Sequence, residues 1–199
     1  MSNIVCLLGS PRPGGNSAVM ARTLCQAAAE AGASVSTFAL NQLSYRGCQG
    51  CLACKTKAEA CVLEDDLTPV LAAVRACDVL VLATPVYFGE VTAQLKAFID
   101  RSFSYFKAGY AHLPREERSR LAPGKTLCFV IAQGHPREDL FTDIYPRYAY
   151  FYNWLGFNHS RLVRACSVYH LGDAGARPEV LEEARELGRE LAAPGAPPA

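Results

Sequence analysis

The sequence predicts a doubly wound α/β fold, a five-stranded parallel sheet with helices on both faces, and three observations predict it. Short apolar runs without alternation, the mark of strands buried on both sides, recur along the chain. Between them lie segments with apolar residues at helical spacing. A length of 199 residues suits one such domain, read here over residues 1–193. Strands that alternate with helices imply right-handed crossovers and therefore parallel pairing.

The elements follow in order. Strand β1 is read over residues 3–9, where Ile4 to Leu8 stay apolar until Gly-Ser-Pro ends the run. Helix α1, residues 17–31, carries Val19, Met20, Leu24, Ala27 and Ala28 at helical spacing and stops at Gly32. Residues 35–40 alternate apolar with small polar side chains, as the edge strand β2 would. Helix α2, residues 65–76, starts at an acidic turn and leads into β3, residues 78–83. Helix α3, residues 92–106, puts Leu95, Phe98, Ile99, Ser102 and Phe106 on one stripe. Charge, proline and glycine then break the rhythm, so residues 107–125 read as a surface insertion. Strand β4 is residues 126–132, the aromatic-rich helix α4 residues 139–155, and β5 the weaker run 162–169. Helix α5, residues 179–191, turns Val180, Leu181, Ala184, Leu187 and Leu191 inward, and the tail 194–199 is expected to be disordered.

Composition removes several functions. Twenty basic against nineteen acidic residues leave a net charge of +1, so no global field recruits nucleic acid or an anionic membrane. The amino-terminal apolar run is five residues without a basic region before it, and nothing approaches the roughly 18 apolar residues of a membrane span. A soluble, cytoplasmic protein is expected, with neither nucleic acid nor membrane as partner. In a reducing compartment its nine cysteines are available for packing, metal binding or redox chemistry rather than disulfides.

Two loops carry binding chemistry. After β1 the chain reads Gly9-Ser-Pro-Arg-Pro-Gly-Gly-Asn-Ser17 and enters a helix. Backbone amides, Arg12, Asn16, Ser17 and the positive end of α1 converge there, a natural seat for a phosphate. The loop is neither a Walker A sequence nor a dinucleotide fingerprint, and a tight βα turn with an incidental arginine is the structural alternative. After β3 the chain reads Thr84-Pro-Val-Tyr-Phe-Gly-Glu-Val91. With strand order 2-1-3-4-5 the sheet switches direction between β1 and β3, where ligands bind. Tyr87 and Phe88 would wall a flat ring there and Gly89 would admit close approach, although either aromatic could instead pack on α3.

These two loops, together with Gln94-Leu-Lys-Ala-Phe-Ile-Asp-Arg101, resemble the flavodoxin-like NAD(P)H-dependent FMN reductases, and more narrowly the iron–sulfur flavoproteins. The resemblance runs from residue 3 to about Trp154. It implies a flavodoxin-like three-layer sandwich and FMN as cofactor. It also implies that Ser10, Arg12, Asn16 and Ser17 hold the FMN phosphate, that Pro85, Val86, Tyr87, Phe88 and Gly89 line the ribityl chain and ring, and that Gln133, Gly134 and His135 close the ring's other side. A homodimer or homotetramer is expected on the same ground.

The sharpest local feature is Cys48-x2-Cys51-x2-Cys54-x6-Cys61, within a loop read over residues 46–62. Such spacing lets thiolates from one loop converge on a [4Fe–4S] cluster, and it matches the cysteine motif of the iron–sulfur flavoproteins. Zinc, or thiols left unligated in an otherwise similar reductase, remain alternatives. Arg46, Lys55 and Lys57 would offset a cluster's charge or simply be solvated. Cys6, Cys25, Cys77, Cys128 and Cys166 read as small core residues. Cys6-x5-Arg12 has the spacing of a cysteine phosphatase, but β1 continues past Cys6, which buries the thiol and raises its pKa. The histidines His112, His135, His159 and His170 show no metal-binding pairing, and only His135 is placed to touch a flavin or substrate. The aromatic run 145–154 reads as core or subunit interface.

The expected activity is an FMN-dependent oxidoreductase that takes electrons from NAD(P)H and passes them to a cluster, quinone, flavin or other small-molecule or protein acceptor. A cluster-free reductase of the same kind and a non-enzymatic, flavodoxin-like electron carrier are the alternatives.

Overall fold

The computed structural model describes residues 1–193; the tail 194–199 lies outside the described residues. Five strands, β1 Asn3–Leu8, β2 Ser34–Ala39, β3 Val79–Pro85, β4 Thr126–Ala132 and β5 His159–Ala165, pair in parallel in the order β2-β1-β3-β4-β5. Their alternation divides the core in two. Ile4, Cys6, Leu8, Val81 and Val130 face helices α1 Asn16–Glu30 and α5 Pro178–Ala192. Val5, Leu7, Leu80, Leu82 and Phe129 face α2 Leu67–Ala76, α3 Ala93–Arg101 and α4 Ile144–Asn153. Because both faces are covered, the central strands need no polar side, which is why they read as continuous apolar runs. This is the flavodoxin-like three-layer sandwich the sequence predicts.

The element ends differ where loop chemistry overrides periodicity. Helix α3 stops at Arg101 rather than 106 and tightens into a 3-10 turn, Ser102–Tyr105. Helix α4 begins at Ile144 rather than 139, because Phe141 adopts a φ of +61°, outside helical geometry. Strand β5 spans His159–Ala165 rather than 162–169: Ser167 turns to a φ of +59°, and the Tyr169 and His170 amides donate to the Asp173 carboxylate, both at 2.7 Å. Residues 107–125 form irregular chain with two short 3-10 turns, and the cysteine segment contains one helical turn, Ala53–Thr56, that periodicity missed. Among the described residues, no helix is long and apolar enough to cross a membrane.

Parallel register places the ligand-facing loops together. The Gly9 amide donates to the Ala83 carbonyl (2.7 Å), Val86 to Ala132 (2.9 Å) and Gln133 to Ala165 (2.8 Å). Thr92 caps α3 by accepting from the Leu95 amide and also donates to the Gly9 carbonyl (2.8 Å), joining the loops after β1 and β3.

Candidate functional site

At the carboxyl ends of β1, β3 and β4 the loops enclose an open cavity of about 610 Å³. Ser10, Arg12 and Asn16 line it from the first loop, Pro85, Val86, Tyr87, Phe88 and Gly89 from the second, and Gln133, Gly134 and His135 from the third. Ser17 does not line it; the side chain is buried and, among the described residues, its Oγ has no hydrogen-bond partner. Gly15, Phe141, Val168 and Tyr169 also line the cavity, unpredicted. For Val168 and Tyr169 the signal was the rule that brings every strand's carboxyl-end loop to this edge, applied to β1, β3 and β4 but not to β5; Gly15 and Phe141 lie in the loops after β1 and β4.

One end of the cavity is built for an anion. Ser10 Oγ accepts from the Arg12 amide and donates to the Arg12 carbonyl, both at 3.1 Å, and the Gly15 amide donates to that carbonyl at 2.9 Å. The turn leaves no room at Gly15, where a Cβ would lie 2.5 Å from Ser10 Oγ. Gly15 is the N-cap of α1 and offers no side-chain cap, the first turn has no acidic residue, and its leading amides have no intrahelical acceptor. Those N–H groups and the exposed Arg12 make a positive, donor-rich cradle. Asn16 is already engaged: its Nδ2 donates to the His170 carbonyl (2.9 Å) and its Oδ1 accepts from the Ala174 amide (3.1 Å), which ties the loop after β5 to α1.

The other end is aromatic. Tyr87 and Glu90 close a tight turn by exchanging backbone hydrogen bonds, with Phe88 at φ +51° and Gly89 at φ +75°. Tyr87 and Phe88 are both exposed, Phe88 fully, so Phe88 does not pack on α3. The Glu90 carboxylate accepts from Tyr148 Oη (3.0 Å) and Arg147 Nη2 (2.8 Å), anchoring the turn to α4. Burial, then the bond to Glu90, push the Tyr148 hydroxyl well above its usual pKa, so it stays a donor. Gln133 shapes the third loop from within. Its buried side chain donates to the His135 and Arg137 carbonyls (2.8 and 2.7 Å) and accepts from Arg164 Nη2 (2.6 Å). Arg164 also donates to the Glu138 and Leu140 carbonyls, so one arginine on β5 holds the loop that carries His135.

The cysteine loop makes a separate, smaller hollow that Cys48, Cys51, Cys54 and Cys61 all line, with Arg101 as the ionised side chain among its lining residues. Their sulfurs are not drawn into ligating positions: among the described residues, no group of three or more His, Cys, Asp or Glu stands ready to hold a metal. The donor set, four thiols without a competing carboxylate or imidazole in the lining, suits a thiolate-bound metal centre. Lys55 stands beside the Cys54 thiol and also has a structural role. Its ammonium donates to the Phe103 and Phe106 carbonyls (2.7 and 2.6 Å) and sits 4.2 Å from the Phe103 ring centroid, pinning the Ala53–Thr56 turn to the chain just after α3. Arg46 and Lys57 are exposed. Cys6, Cys25, Cys77 and Cys128 are buried as expected, but Cys166 is only half-buried because β5 ends before it. The Cys25 thiol beside it, together with burial, pushes Cys6 well above the usual thiol pKa, which agrees with setting the phosphatase spacing aside.

The family model for NADPH-dependent FMN reductase matches residues 2–140, more than half of the chain. The chain belongs to that family. Among its relatives, an iron-sulfur flavoprotein of Methanocaldococcus jannaschii is 37% identical over 99 residues, covering 50% of this chain and 51% of the relative. One of Archaeoglobus fulgidus is 38% identical over 101 residues, covering 51% and 46%. The chain thus spans about half the length of the curated relatives it matches. The NAD(P)H:quinone oxidoreductase of Methanothermobacter marburgensis superposes with a TM-score of 0.70 at 21% identity, over 96% of this chain and 98% of that one. An FMN-dependent NADH-azoreductase of Bacillus anthracis, solved with FMN, gives 0.67 at 17% identity, over 96% and 97%. These structures share the fold. As a member of the FMN reductase family the chain has residues that fit the family's cofactor: a carboxylate-free cradle at the N-terminus of α1, a turn too tight for a Cβ at Gly15, and an aromatic wall at the far end of one cavity.

Proposed function

We propose that the chain binds FMN in the cavity between the loops after β1, β3 and β4 and uses it to oxidise NAD(P)H, passing the electrons to a small-molecule or protein acceptor. The observation that carries this is the cavity itself, polar and positive at the helix end and aromatic at the other, which matches the two ends of a flavin mononucleotide. FMN bound there supplies a centre that accepts electrons in pairs and releases them singly or in pairs. The chain's own part is placement. Arg12 and the first amides of α1 hold the phosphate, with Ser10, Asn16 and Ser17 shaping that end, Tyr87 and Phe88 cover the ring, and Arg164 with Gln133 keeps His135 and its loop in position.

In the same reading Cys48, Cys51, Cys54 and Cys61 hold a [4Fe–4S] cluster, which supplies a one-electron station. Support comes from the shared hollow, the compact spacing and the iron-sulfur flavoproteins among the relatives. The separation of the sulfurs favours a second reading, a cluster-free NAD(P)H:FMN or quinone reductase. We place the protein in the cytoplasm as one domain over residues 1–193. We also infer a homodimer or homotetramer, because the exposed aromatics Tyr87, Phe88, Tyr150 and Phe151 offer surface for a second copy to cover. Nucleic acid and membrane are left out as partners.

Anaerobic purification with ample iron and sulfide, followed by an absorption spectrum and flavin, iron and sulfide analysis, tests both parts. FMN with four irons supports the full reading, and FMN alone leaves the cluster-free reductase. Rapid bleaching of the flavin band by NADH or NADPH supports the enzyme; bleaching only by a protein donor supports the carrier. Absence of FMN overturns both.

A further inference from the structure

We propose that Arg101 is a positioning residue for the four-thiol loop, fixing both stems of that loop and keeping one buried N–H for the sulfur of a metal centre held between them. This rests on the cluster reading above. Arg101 ends α3 and is 1% exposed. Its Nη1 donates to the Arg46 carbonyl (2.9 Å) and its Nη2 to the Leu63 carbonyl (3.2 Å), while both pair with the Asp65 carboxylate at 2.8 and 3.3 Å. Arg46 lies just before Cys48 and Leu63 just after Cys61. One guanidinium therefore clamps both sides of the cysteine segment, with the planar fork that lysine lacks.

The remaining donor, Nε–H, is buried and has no hydrogen-bond partner among the described residues. Such groups are rare because an unpaired buried donor is costly, and one that persists calls for an acceptor. Arg101 lines the hollow shared by the four thiols, and its lining contains no carboxylate to take that N–H. Lys55, the other cation in reach, stands beside Cys54 and already donates to the Phe103 and Phe106 carbonyls. A thiolate-ligated centre would bring anionic sulfur to this place, and an N–H donated to sulfur stabilises the more reduced, more negative state of a cluster.

The test uses the full chain carrying Arg101→Met, Arg101→Lys or Asp65→Asn. In protein reconstituted with iron and sulfide, the cluster is titrated with reductant and followed by electron paramagnetic resonance. In metal-free protein, cobalt(II) is the probe, read by its thiolate charge-transfer absorbance. Arg101→Met is expected to lower the cluster's potential by a tenfold change in the one-electron equilibrium, about 59 mV, and to weaken cobalt(II) binding at least tenfold. Arg101→Lys keeps a cation without the Nε–H and is expected to lower the potential less; it carries the test if the methionine variant does not fold. Asp65→Asn loosens the clamp without removing the N–H and takes one negative charge away from the pair, so it should weaken cobalt(II) binding without lowering the potential. A wild-type cluster whose potential is unmoved by either Arg101 variant overturns this inference alone. Wild-type protein that takes up neither cluster nor cobalt(II) overturns the cluster reading and this inference with it.

Discussion

Arg12 and Phe88 show most plainly how single residues serve the cavity. Arg12 is exposed beside the N-terminus of α1, where its guanidinium makes one hydrogen bond among the described residues, a long 3.4 Å approach of Nη1 to the Tyr169 carbonyl, so its charge is available to an anion. Arg12→Ala is expected to remove a charge-assisted contact of about 1.5–3 kcal/mol, a roughly 10- to 150-fold loss in FMN affinity by titration of the apoprotein. Phe88 combines full exposure with a left-handed backbone, a costly state for a side chain that no described residue covers. Phe88→Gly should relieve that strain and raise stability by about 1 kcal/mol in urea unfolding, while the loss of the aromatic wall perturbs the bound flavin's fluorescence. Stability unchanged or lowered by this substitution would contradict the strain. Both residues were legible in the sequence as types at the right loops. The engagement of Asn16 with the loop after β5 was not, because a contact across 154 residues leaves no local pattern.

At the scale of elements, the loop after β4 depends on β5. Arg164 supplies the Gln133 amide oxygen and two loop carbonyls with their donor. Arg164→Met should leave those acceptors unsatisfied at about 1–3 kcal/mol, speed amide exchange over residues 133–140, and weaken flavin binding. Exchange confined to wild-type rates there would show that the loop holds itself. The Asp65–Arg101 pair joins the cysteine segment to α3 and makes stability depend on acid. Partial burial pushes the Asp65 carboxyl up, but the hydrogen bond and charge of Arg101, together with the Arg46 and Leu67 amides, outweigh it and the net pKa is lowered. The contribution is therefore present above the ordinary carboxylate value of about 4 and is lost as pH falls through the lower folded value. Asp65→Asn is expected to flatten the acid limb of stability against pH in urea melts. Periodicity located every main strand and helix, since doubly buried strands and amphipathic helices are written in apolar spacing. It overran α4 and β5, because positive φ at Phe141 and Ser167 and the Asp173 carboxylate are local backbone facts that apolar spacing does not encode.

For the whole molecule, strand order decides the site: β1 and β3 are neighbours, their loops diverge to opposite faces, and the cavity opens where they part. That much followed from alternating elements and two loop motifs. The contribution of Val168 and Tyr169 did not, since it depends on where β5 ends in space rather than on a motif. The central claim is that this cavity holds FMN with its phosphate on the N-terminus of α1. Titration of the apoprotein with FMN and with riboflavin, which lacks the phosphate, tests it most directly. The account predicts FMN binding at least tenfold tighter than riboflavin, with the difference largely erased by Arg12→Ala. Equal affinity for the two flavins in the wild-type protein, or binding of neither, would contradict it.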